Sequence, residues 1–179
     1  MSVEFGTRRA YHPGMSDVGE LYERDFYAWT QDQAALLRAW PEALRPNALD
    51  LGNLAEEIDS LGRSQRSAVE SLMTQIVEHL LKLRSHPDQT SRRHWQKEIA
   101  GFRDQLDILF RDNPSLRARR SEIASAVWRR AARRFGRELD IDNHDPRTAL
   151  AWLPDPAEPY FDLDREVLAE NWFPPPPAA

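Results

Sequence analysis

The sequence predicts an all-α fold: a helical bundle of about four main helices with one long central helix, short C-terminal helices and a Pro-rich tail. Three observations predict it. Apolar residues between Leu51 and Leu83 recur with the 3.6-residue period of a helix. No segment shows the period-two alternation of a half-buried strand. Glycine is sparse, at 7 of 179 residues, and seven of the 13 prolines fall at or after Pro154, so helix breakers are concentrated near the C-terminal end.

A chain of this length fits one domain with a core of its own. Residues 1–16 read as a flexible extension, 17–173 as a single helical domain and 174–179 as the Pro-rich tail. The first helix is predicted from Asp17 to Trp40. Tyr22, Phe26, Trp29, Gln33, Leu36 and Trp40 step by 4, 3, 4, 3 and 4, which places them on one face, and Pro41 ends the run.

The second helix is predicted over about residues 50–84, with Asp50 as its N-cap. Its stripe is Leu51, Leu54, Ile58, Leu61, Val69, Leu72, Met73, Ile76, Leu80 and Leu83. Gly62 marks a slight bend or a close helix crossing. Thirty-five residues make a rod of about 52 Å, longer than a compact domain of this size is wide. A protruding end, a break or a partner chain is therefore expected.

The third helix is predicted from Ser91 to Arg111, with Trp95, Ile99, Phe102, Leu106 and Leu109 as its seam. Asn113-Pro114 opens the fourth, since proline suits the first helical position, and Gly136 is read as its C′ residue. Asp140 to Pro159 reads as turns, with one short helix around Thr148 to Leu153 and another from Asp162 to Glu170. Pro174 to Pro177 predicts an extended, solvated end.

Three segments together resemble a known family: Leu21 to Trp29 (LYERDFYAW), Asp50 to Ser64 (DLGNLAEEIDSLGRS) and Glu78 to Lys82 (EHLLK). In that order the chain is similar to the bacterial helical family catalogued as domain of unknown function 29. The likeness runs over about residues 20–173 and includes the ending Trp172-Phe173-Pro174. It implies an all-α fold and a bacterial source, and no activity.

Composition removes several functions. With no cysteine there is no disulfide, thiolate nucleophile or cysteine-based zinc site, which suits a reducing cytoplasm. No apolar run is long enough to span a bilayer, so no membrane partner is expected. The N-terminal residues lack the apolar core of a secretory signal. There is no phosphate-cradling glycine loop and no glycine-flanked nucleophile. No cofactor is expected, and an enzymatic role is disfavoured.

The charge is segregated. Residues 1–60 carry net −6, residues 61–137 net +9 and residues 138–179 net −8. The basic centre includes an arginine face: Arg119, Arg130, Arg133, Arg134 and Arg137 share one side of the fourth helix. Such a face suits phosphates. It is equally suited to pairing with the acidic ends of the same chain, and the acidic pI of about 5.6 disfavours a nucleic-acid partner.

Glu57 and His79 flank the apolar stripe of the long helix and are the candidate metal ligands or catalytic groups. They lie 22 residues apart in sequence, about 33 Å along a helix. A shared site therefore needs another helix or another subunit; otherwise Glu57 is a salt-bridge partner and His79 a core histidine. His86 and His94 read as surface residues, with a cluster of His79, His86 and His94 as a remote alternative.

A non-catalytic interaction module, docking a protein partner or self-associating as a homo-oligomer, fits these residues best. Nucleic-acid binding through helix 114–136 is the alternative. A metal-dependent enzyme using His79 and Glu57 is the second alternative.

Overall fold

The computed structural model describes residues 15–176, and its spine is α3, Leu51–Ser85. Asp50 starts α3 by accepting a hydrogen bond from the Asn53 backbone N–H at 3.0 Å, a cap worth about 1 kcal/mol. His86 ends it, because the residue before Pro87 is held extended. The other elements are α1 (Met15–Arg24), α2 (Phe26–Arg38), α4 (Arg92–Asp112), α5 (Pro114–Ala118), α6 (Arg120–Ile141) and α7 (Pro146–Ala149). A 3-10 turn at Glu42–Leu44 and a π-helical turn at Leu163–Val167 complete the set. Among the described residues there is no strand, so the fold is all-α.

The two halves of α3 have different surroundings. From Val69 onward it is wedged between α4 and α6, with α2 packed mainly on its first half. Met73, Ile76, Leu80, Leu81 and Leu83 are fully buried there. Each contributes about 1.5–3 kcal/mol by burial. They meet Trp95, Ile99, Leu106 and Phe110 of α4 and Ile123, Val127, Trp128, Phe135 and Leu139 of α6 in one core. In the first half the predicted stripe holds only at Leu51, which is buried; Ile58 is half-buried, Leu54 and Leu61 are exposed, and Ala55 and Gly62 are buried instead. No further helix among the described residues covers that edge.

Gly62 is a close crossing, as its position in the stripe suggests. A Cβ built there would lie 2.3 Å from Thr30 Oγ1 of α2. The predicted first helix is two. Asp25 interrupts it as the N-cap of α2, accepting from the Ala28 N–H. The buried face of α2 is Tyr27, Thr30 and Ala34, one step around from the predicted face, and Leu36 and Trp40 are exposed. Small residues face α3 because the axes are too close at Gly62 for large ones.

The predicted fourth helix starts at Pro114 as expected but differs within its first turns and at its end. It restarts at Arg120 after α5, and it runs past Gly136 to Ile141. Burial of Phe135 and Leu139 carries the helix across the glycine. The chain reverses instead at Asn143, with φ 59°, since asparagine tolerates the left-handed region. The two short C-terminal helices shrink to α7 and the π-helical turn.

Met15 and Ser16, expected in the extension, form the start of α1; the rest of that extension lies outside the described residues. At the other end Pro174 is buried rather than solvated. Its carbonyl accepts from Arg92, which also donates to Leu83 O at 2.7 Å. Residues 177–179 lie outside the description.

Candidate functional site

Two side-chain caps set the pose of α1 and α2. Asp25 serves α2 and also accepts from Ser115 N at 2.7 Å and Ser115 Oγ at 2.8 Å, at the start of α5. Reciprocally, Asn113 Oδ1 accepts from Tyr27 N at 2.9 Å, while Asn113 Nδ2 donates to Leu109 O. Orphan N–H groups at one helix start are thus satisfied by the residue preceding another. This clasp presents the opposite side of α1 and α2 outward.

That outward side is aromatic. Tyr22, Phe26 and Trp29 pack on one another, with centroid separations of 5.6 Å, 4.8 Å and 5.8 Å among the three pairs. Tyr22 is 47% exposed, and Leu36, Trp40, Leu44, Leu54 and Leu61 are between 42% and 70% exposed. Acidic side chains are interspersed: Glu23, Asp32 and Glu57 are exposed and enter no ion pair among the described residues. Aromatic anchors amid mainly acidic charge, with Arg24 and Arg38 as the cations of α1 and α2, suit a docking surface.

The arginine face is partly occupied by the chain itself. Arg130 lies 3.5 Å from Glu70, and Arg134 Nε lies 3.0 Å from Glu78 Oε2, the latter as an ion pair without hydrogen-bond alignment. Arg119 pairs with Glu122 at 3.0 Å. Arg133 and Arg137 are exposed and enter no ion pair among the described residues. The partners of Arg130 and Arg134 come from α3, not from the acidic ends. Arg120 does reach the acidic C-terminal segment, holding Asp164 at 2.8 Å and drawing its carboxyl below the usual range by hydrogen bonding.

A profile of the family described as "Domain of unknown function DUF29" matches residues 21–173. The chain belongs to the DUF29 family. This DUF29 chain is also similar to a crystal structure of an alpha-helical protein of unknown function from Rhodospirillum rubrum. The two are 28% identical, with a TM-score of 0.66 over 84% of this chain and 90% of that one. A comparison with curated proteins finds no match.

Within the DUF29 fold Glu57 and His79 do not meet. Both lie on the unbroken α3, and Glu57 is exposed rather than bordering a buried stripe. The stripe it borders, Leu54 and Leu61, is itself exposed. His79 is buried, with Nδ1 donating to Gln75 O at 2.8 Å and Nε2 2.9 Å from Glu98 Oε2. His94 reaches the same oxygen at 3.3 Å. His79 and His94 therefore converge on Glu98, and His86 stands apart among other groups.

His86 is buried against Trp95, at a ring separation of 5.3 Å, and close to Glu138, Asp142 and His144. His86, expected on the surface, is buried because its ring packs on Trp95, and Glu138, Asp142 and His144 join it without being candidates from the sequence. One signal was available: Glu138 and Asp142 are four residues apart, so they share a helix face if the helix continues beyond Gly136. Reading Gly136 as a terminator hid it.

No helix among the described residues is long and apolar enough to cross a membrane.

Proposed function

We propose that this DUF29 domain is a non-catalytic interaction module that docks a protein partner on the outward face of α1 and α2. The carrying observation is the mutually packed trio Tyr22, Phe26 and Trp29, with Tyr22 exposed and the other two half-buried. Tyrosine and tryptophan bury large area at little conformational cost and dominate binding energy where they are anchors. The acids Glu23, Asp32 and Glu57 favour a partner with apolar anchors and a basic rim. They weigh against a face-to-face pair of identical copies, which would set like charges together. The lack of cysteine, and of a membrane-crossing helix among the described residues, supports a place in the bacterial cytoplasm.

The test compares wild type with the double variant Tyr22→Ala, Trp29→Ala. Proteins recovered by each from the source cells are compared, and a recovered partner is titrated against both. The expected result is a partner bound by wild type and weakened about a thousandfold by the double variant, from two anchors worth about 2 kcal/mol each. Light scattering on the same samples identifies self-association. A strict monomer that recovers the same proteins with and without the two rings overturns the proposal.

The alternatives draw less support. Arg130 and Arg134, central to a phosphate clamp, already face Glu70 and Glu78. The pairing of His79 with Glu57 has no shared cavity to act in, because one straight helix separates them.

A further inference from the structure

We propose that His86, Glu138 and Asp142 form a binding site for a borderline divalent transition-metal ion, such as Zn²⁺, joining the end of α3 to the end of α6. One ligand atom from each residue lies within 4.8 Å of the other two. In a tetrahedral zinc site with bonds of about 2.1 Å, ligand atoms stand about 3.4 Å apart. Closing the difference takes about an ångström of movement from flexible carboxylates. Asp142 is exposed and Glu138 half-buried, so both have room to move.

His86 supplies the rigid part. It is only 7% exposed, and its ring is held against Trp95. Its Nδ1 lies 2.9 Å from the Asp88 carbonyl oxygen and 3.1 Å from the Asp88 backbone N; the tautomer that donates to the carbonyl leaves a lone pair on Nε2, the one that accepts from the N–H carries its proton there, and a bound metal selects the first. A histidine oriented through its other nitrogen by a carbonyl is the usual outer arrangement of a metal ligand. Nε2 makes no hydrogen bond among the described residues, and its nearest carboxylate, Asp142, is 3.7 Å away. The buried imidazole thus presents Nε2 to the Asp142 carboxylate beyond hydrogen-bond distance, with Glu138 in the same 4.8 Å group.

The local backbone places His144 beside this group, without bringing its nitrogens within the 4.8 Å that the other three ligand atoms share. After α6 the left-handed Asn143 turns the chain, and the His144 N–H donates to Leu139 O at 2.8 Å. This brings the His144 ring to 5.6 Å from that of His86. His144 also lines an open cleft of about 570 Å³ with Arg84, Ser85, Pro87 and Trp152, which gives solvent access to this side of the group. One or two imidazoles with two carboxylates suit zinc, nickel or ferrous iron better than calcium or magnesium.

A plain ion-pair cluster is the competing reading, and Lys82 is its strongest argument. The Lys82 ammonium lies 2.8 Å from Glu138 and 3.6 Å from Glu78. A bound dication would displace it from Glu138, leaving it to Glu78. Lys82 therefore competes with the metal, and removing its charge should strengthen binding. A cluster held together by Lys82 predicts the reverse: loss of structure and no metal affinity.

The test is calorimetric titration of the untagged full-length protein with Zn²⁺, alongside Ca²⁺ and Mg²⁺. One zinc per chain is expected, with no binding of the other two. The variant Glu138→Gln, Asp142→Asn should lose more than about tenfold in zinc affinity, the least that even outer-shell partners cost. Lys82→Met should gain affinity. His94→Ala should leave it unchanged, which separates this site from His79, His94 and Glu98. Circular dichroism confirms that each variant is folded. Zinc binding unaltered by the double carboxylate variant, or absent from wild type and Lys82→Met alike, overturns the proposal.

Discussion

Gly62 of α3 sits so close to Thr30 of α2 that a single added Cβ would lie 2.3 Å from the threonine hydroxyl oxygen. Real Cβ atoms do not approach so closely, so any side chain at 62 must part the two helices. Gly62→Ala is expected to destabilise the domain by about 1–3 kcal/mol through overpacking, even though alanine is the better helix former by about 1 kcal/mol. Thr30→Ala removes the nearest atom and should recover part of the loss. Chemical denaturation of the two singles and the double measures the coupling; additive effects would count against a steric origin.

Asp25 holds two helix starts at once, and its removal should free α1 and α2 without melting the core. Asp25→Ala leaves Ala28 and Ser115 N–H groups without their acceptor, at a cost of about 2–3 kcal/mol for lost charge-assisted bonds. Hydrogen exchange should accelerate in residues 15–38 and change little in 69–85. Uniform acceleration would show that the clasp is part of the global core.

Arg103 organises the C-terminal segment through backbone alone. Its guanidinium donates to the carbonyls of Glu166, Val167, Glu170 and Trp172 at 2.8–3.2 Å, with Phe173 stacked at 5.3 Å. Burial lowers its pKa to about 10, so it is still charged at neutral pH. Arg103→Met should release residues 163–174, read as rapid proteolytic cleavage there. Arg103→Lys should not rescue it, because a point ammonium cannot span four carbonyls. Equal protease resistance in the wild type and both variants would refute this role.

Acid should loosen the contacts that join elements at the surface. Asp59 bridges α3 to Arg38 of α2, Glu122 bridges α6 to Arg66 of α3, and Asp164 holds Arg120. Hydrogen bonds to these partners lower all three carboxyls below their ordinary 3.8 to 4.5. A lowered folded-state value favours the folded chain above the ordinary pKa, and that contribution is lost as pH falls through the lowered one. Melting temperature should therefore be flat above about pH 5 and fall below about pH 4. Asp164→Asn should reduce the slope; an unchanged profile would mean that this pair is fully screened.

What was legible in the sequence follows from where burial is continuous. The second half of α3 lies against both α4 and α6, so the apolar period there reports the core; the seam of α4 does so at Trp95, Ile99 and Leu106, with Phe102 and Leu109 half-buried. Asp50 and Asn113-Pro114 were legible because capping is local. The face of α2 was misread because aromatic residues repeat there at helical spacing for a surface, while Thr30 and Ala34 face inward. Gly136 was misread because packing of Phe135 and Leu139 overrides the weak helix propensity of one glycine.

The sequence by itself determined an all-α chain with a long capped central helix, membership of a recognisable family and a segregated charge pattern. These depend on periodicity, caps and composition, which are local or additive. Only the tertiary structure decided that His79 meets Glu98, that Tyr22, Phe26 and Trp29 lie off the buried face of α2 and that His86 meets Glu138, Asp142 and His144. Those facts depend on which helices approach each other, and at what distance. That is set by a few close contacts, Gly62 on Thr30 and Asp25 on Ser115, between residues 32 and 90 positions apart in the chain.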